Sequence, residues 1–82
     1  MATGVPIRNA LTVDVEDYFH TEAMSQAVHR EDWERMPSRV EGNTRRLFEL
    51  LAKHNVRTTM FILGWVAERF PKLVREAATL GH

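Results

Sequence analysis

Apolar and polar positions along the chain sort into two short β-type runs, each followed by a helical stretch. Ala10-Leu11-Thr12-Val13-Asp14-Val15 is rich in β-branched residues and is flanked by Pro6-Ile7-Arg8-Asn9 and the acidic Glu16-Asp17, the pattern of a buried strand. From Asp17 to Pro37 aromatics, histidines and charges mix without a sustained period, which predicts a long connection with a short helix near Thr21 to Val28. Ser38-Arg39-Val40-Glu41 has the spacing of a capping box, with the serine oxygen taking a backbone amide and the glutamate reaching back, so a helix is expected to begin there. Val40, Leu47, Leu50 and Leu51 supply its apolar face, and Glu41, Arg45, Arg46, Glu49 and Lys53 fall largely elsewhere. Gly42 weakens its first turn by about 1 kcal/mol. Asn55 is placed to end this helix in a left-handed conformation.

Val56 to Leu63 is dense in β-formers and closes on Gly64, a second predicted strand. Trp65 to Leu80 returns to helical spacing through Val66, Phe70, Leu73, Val74, Ala77 and Ala78. Pro71 splits the stretch into a short helix and a longer one, and Gly81-His82 follows as a cap. The order of strand, long loop, helix, strand, helix is the opening of an α/β protein with a parallel sheet. Two strands leave both sheet edges without partners, so these residues alone are expected to be marginally stable or unfolded.

Composition narrows the classes of function. The 82 residues have room for one small domain at most. Eleven basic and eleven acidic side chains balance and are scattered, which argues against nucleic acid as a partner because phosphate recognition concentrates positive charge on one face. The absence of cysteine removes disulfides, thiolate metal ligands and a cysteine nucleophile together. No stretch approaches the length of a membrane span, and Met1 to Pro6 lacks the features of a secretory signal. With Met1 as the natural start, the expected location is the cytoplasm.

In parallel β/α folds, catalytic groups gather at the carboxyl ends of the strands. Asp14 and Glu16 lie at that end of the first strand, and period-two alternation points both to one side and Val15 to the other. Two carboxylates on one face suit a metal ligand beside a general base. Acidic pairs after a strand also serve as solvated loop starts or helix caps, and the pair alone does not decide between these uses. His20 is close enough to line a cleft, whereas His29 and His54 have no supporting partner and read as structural or exposed. Tyr18, Phe19 and Trp65 follow strand ends and could stack on a ligand, although burial under loops is the expected fate of at least two of them.

The stretch Leu11-Thr12-Val13-Asp14-Val15-Glu16-Asp17-Tyr18-Phe19-His20 resembles the first motif of the polysaccharide deacetylase family of NodB homology. Asn43 through Leu51, His54 through Pro71, and Gly81-His82 resemble its second unit and the approach to its third strand, so the resemblance covers nearly all of the chain from Ala10 onward. It is strongest to the branch whose first motif reads Asp-Val-Glu, found with exopolysaccharide biosynthesis in bacteria. The resemblance implies the first two β/α units of a distorted (β/α) barrel, truncated, with residues 1–9 as a lead-in and 10–82 as the incomplete start of the domain. It implies hydrolysis of N-acetyl groups on a polysaccharide by the full-length parent, with a divalent metal, zinc by expectation, held by one carboxylate and two histidines.

Most members carry two adjacent aspartates, base then metal ligand, where this chain has Val15 in the second place. The resemblance therefore makes Asp14 the general base and Glu16 the metal carboxylate, or Asp14 the ligand with the roles reversed. The family's metal histidines follow the Gly-His turn, so His82 is not expected to be a ligand, the histidine ligands are absent from this chain, and the chain alone should be inactive. Two other readings stay open: a degenerate barrel that binds glycan without turnover, and a related amidohydrolase acting on a small cyclic amide or ureide.

Overall fold

The structure, a computed structural model, describes Gly4 and residues 7–82. The lead-in expected over residues 1–9 lies in large part outside the described residues, and from Ile7 to Leu11 the chain carries no regular element. Strand β1 spans Thr12–Val15, helix α1 Val40–Lys53, strand β2 Thr59–Ile62, helix α2 Gly64–Arg69 and helix α3 Pro71–Thr79. The strands pair in parallel, with Thr12 opposite Thr59, Val13 opposite Met60, Asp14 opposite Phe61 and Val15 opposite Ile62. This is a small parallel α/β unit, as the order of elements predicts.

Both strands are shorter than their apolar runs. Val56 to Thr58 stay outside β2, and Ala10 and Leu11 stay outside β1, although the Leu11 carbonyl still accepts the Thr59 amide at 3.0 Å. Alternation gives the sheet two unlike faces. Val13, Val15, Met60 and Ile62 turn toward the helices, where Val15, Val40 and Val66 form one buried cluster. A second cluster of Phe48, Leu73 and Ala77 joins α1 to α3, and Met60 and Phe70 touch both. Thr12, Asp14, Thr59 and Phe61 occupy the opposite face, which no helix covers and where each is exposed.

The apolar stripe of α1 differs in phase from the one the sequence suggests. Val40, Thr44, Phe48 and Leu51 are buried, Leu47 is half-buried, and Leu50 is 53% exposed. These buried positions recur at i, i+4, i+8 and i+11, which tracks one side of a helix better than the leucines do. The capping box is also absent. Arg39 is the N-cap residue without a side-chain bond, Ser38 turns its hydroxyl to Asp17, and Glu41 pairs with Arg45 at 3.4 Å.

The carboxyl ends of α1 and α3 close in the same way. At α1 the Val56 amide reaches the Leu51 carbonyl and the Asn55 amide reaches that of Ala52, with Asn55 at φ 53°, as expected. At α3 His82 and Gly81 make the equivalent bonds to Ala77 and Ala78. Gly81 has φ 89°, a conformation that favours glycine, and a β-carbon there would lie 2.7 Å from the Nε of Arg57, whose long side chain would have to shift. Pro71 opens α3 at its first turn, which separates α2 from α3 as the sequence predicts.

Residues 17–39 form the long connection. It contains three short 3₁₀ turns, Tyr18–His20, Glu22–Met24 and Arg30–Arg35, in place of one helix over Thr21 to Val28. Without an apolar period there is no face for a continuous helix to bury, and the turns instead fold Phe19 and Val28 inward one at a time.

Candidate functional site

Parallel pairing puts the carboxyl ends of β1 and β2 on the same edge of the sheet, and Asp14 and Glu16 both stand there, exposed. Val15 between them is buried in the core, so the pleat sends the two acids to the open side. A hollow of about 380 Å³ at this edge is lined by Asp14, Glu16, Phe61 and Leu63, among others. Phe61, the in-register partner of Asp14, is 59% exposed and gives the hollow an apolar wall. A second hollow of about 310 Å³ is lined by residues of β1, the Glu16–Tyr18 segment and α1, and by none from β2.

The third acid of the motif behaves differently. Asp17 is 3% exposed, and its carboxylate accepts the Ser38 hydroxyl, the Arg39 amide at 3.1 Å and the Val40 amide at 3.3 Å. These amides are among the donors that a helix start leaves without internal partners, and the carboxylate also meets the positive end of the α1 dipole. Sequence reasoning missed this role, because no local spacing links Asp17 to a helix that begins more than twenty residues later. Its only trace in the sequence is an acid that lies on the buried side of the alternation, in phase with Val15.

His20 belongs to an aromatic box. Its ring lies 4.4 Å from Phe19, 4.5 Å from Trp33 and 4.6 Å from Trp65, centroid to centroid. Its Nδ1 accepts the Asp17 amide at 2.8 Å, which leaves the proton on Nε2, a buried atom with no hydrogen-bond partner. Burial pushes its pKa below the ordinary imidazole range, against the opposing pull of Asp17 and Glu16. His20 therefore packs beneath the loop and does not line the cleft.

The aromatics divide as follows. Phe19 is buried and Trp65 half-buried, with the Arg69 guanidinium 4.7 Å from the Trp65 ring centre, while Tyr18 is exposed under Arg39 at 5.5 Å. Tyr18 alone of the three remains accessible beside the strand-end acids.

The other histidines lie away from Asp14 and Glu16. His29 and His54 are exposed on the loop and at the end of α1. The His82 Nδ1 accepts the Thr58 amide at 3.0 Å, and its ring stacks on Phe48 at 5.7 Å. Thr58 precedes β2, so His82 sits at the amino end of the sheet, opposite the edge that carries Asp14 and Glu16. Among the described residues no three histidine or acidic side chains converge as a metal-holding group. The chain thus offers carboxylates to a metal and does not by itself fit one.

A parallel α/β unit that carries an acidic pair at the carboxyl end of its first strand is the class of protein that fold and site define. The family follows from comparison: the model of the polysaccharide deacetylase family matches residues 32–82, and the chain belongs to that family. The matched range begins after Asp14 and Glu16. A peptidoglycan-N-acetylglucosamine deacetylase of Bacillus cereus is 44% identical over 39 residues, which cover 48% of this chain and 14% of that protein. No solved structure matches.

Proposed function

We propose that the full-length protein containing this chain is a metal-dependent deacetylase that hydrolyses N-acetyl groups on a polysaccharide. The observation that carries this reading is the exposed pair Asp14 and Glu16 at the mouth of a parallel sheet, in a chain of the polysaccharide deacetylase family. In this reading Asp14 is the general base. It takes the proton of the water that attacks the acetamide carbonyl, and once an acid from outside these residues has given a proton to the leaving nitrogen, the C–N bond breaks to release acetate and a sugar amine. Glu16 is the carboxylate offered to the metal, and histidines from outside these residues complete its coordination. A zinc ion held there would supply an activated water by lowering its pKa and would polarise the carbonyl.

Asp14→Asn in the full-length protein is the test. Acetate release from an N-acetylated glycan should fall by at least about 100-fold, as loss of a general base commonly costs. Zinc content, measured by atomic absorption, then assigns the roles: an occupied site makes Asp14 the base, and an emptied one makes it the ligand. Unchanged acetate release would sink the proposal. Glycan binding without turnover in the wild type would favour a degenerate binding barrel instead.

A further inference from the structure

Glu16 stands between two fixed neighbours. Val15 is locked in the core with Val40 and Val66, and Asp17 is locked against the amino terminus of α1 by its bonds to Ser38, Arg39 and Val40. The Asp17 backbone is held as well, its amide donating to His20 Nδ1 at 2.8 Å and its carbonyl accepting the His20 amide at 3.0 Å. We propose that Asp17, acting with Ser38, is a positioning residue that sets where Glu16 and Asp14 present their carboxylates, by tying the end of β1 to the start of α1. The inference rests on the deacetylase reading and adds to it a residue that never touches substrate.

Three features separate this tie from an ordinary helix cap. Ser38, which the sequence offers as the cap, lies one residue before the N-cap Arg39 and gives its hydroxyl to Asp17. The carboxylate's hydrogen bonds all fall on one segment, Ser38 to Val40, across 21 to 23 residues of sequence. The intervening chain consists of short turns and contains no strand, and its rings, Phe19, His20 and Trp33, pack on Trp65 of α2, so among the described residues the bonds of Asp17 are the side-chain hydrogen bonds that join the end of β1 to the start of α1. A catalytic pair must keep its geometry to a fraction of an ångström, and a buried carboxylate bonded to several donors supplies that rigidity at the residue after Glu16.

The test uses the full-length protein. Values of kcat and KM for acetate release from an N-acetylglucosamine oligomer are compared for wild type, D14N, D17N, S38A and L73A, each at a temperature where its melt shows it folded. D17N and S38A should lower kcat about 10- to 100-fold with KM held within about twofold, the signature of misplaced reacting groups. L73A loosens the layer between α1 and α3, away from the strand ends, and should lower Tm while leaving kcat intact. If D17N does not fold, S38A decides the matter, since it removes one donor and leaves the two amides in place. Wild-type kcat in S38A and in every folded Asp17 variant, beside an inactive D14N, would make Asp17 a simple cap and overturn this inference alone. An inactive wild type, or a D14N as active as wild type, would overturn the deacetylase reading and this inference with it.

Discussion

Asp14, Glu16 and Asp17 are three acids within four positions, and their surroundings give them unlike roles. The first and second are exposed on the open face, whereas the third is enclosed and bonded to α1. The alternation that separates Asp14 and Glu16 from Val15 could be read directly from the sequence; the partners of Asp17 could not, because hydrogen bonds across more than twenty residues leave no local period. His20 gives a prediction at this scale. Its folded pKa lies below the unfolded value of 6.5, so below pH 6.5 the unfolded state binds more protons and stability drops as the pH is lowered. The stabilising neutral form is fully present above about pH 6.5 and is lost as pH falls through the lowered folded value. The urea midpoint of the full-length protein should therefore drop between about pH 7.5 and pH 5, and His20→Asn should flatten that slope. An unchanged slope in the variant would place the titrating group elsewhere.

At the scale of elements, α1 is the informative case. Its existence and its end follow from sequence, since Asn55 takes the left-handed conformation expected of it. Its start and buried face do not. Several apolar residues compete for the inward side, and packing against α3 selects Phe48, which stacks on His82 and joins Leu73 and Ala77, over Leu50. Phe48→Ala should cost about 3–5 kcal/mol in urea denaturation of the full-length protein, as truncation of a buried aromatic does. Leu50→Ala should stay within about 0.5 kcal/mol, and equal losses at the two sites would contradict the observed phase. The turn after α3 offers a second check. Gly81→Ala meets both a positive φ and the Arg57 side chain, so it should destabilise by more than about 1 kcal/mol on the same assay.

Across the whole molecule, the sheet has two strands, one covered face and one open face. Each strand has an edge without a partner among the described residues, and Phe61 is exposed beside Asp14. Exposed strand edges and an uncovered apolar wall favour association, so residues 1–82 expressed alone should melt without a cooperative transition or aggregate on warming. A reversible, cooperative melt at the roughly 45–65 °C of ordinary domains would refute that expectation. The element order, the parallel α/β class, the break at Pro71, the left-handed caps at Asn55 and Gly81, and the shared side of Asp14 and Glu16 were determined by the sequence itself. Each depends on residues close together in the chain, where period and backbone preference act without distant partners. The tertiary structure alone decided that Asp17, and not Ser38, caps α1, that Phe48 faces the core, that His20 is boxed in by aromatics, and that His82 lies at the far end of the sheet. Those outcomes turn on contacts between segments far apart in sequence, which form only when the strands and helices have packed.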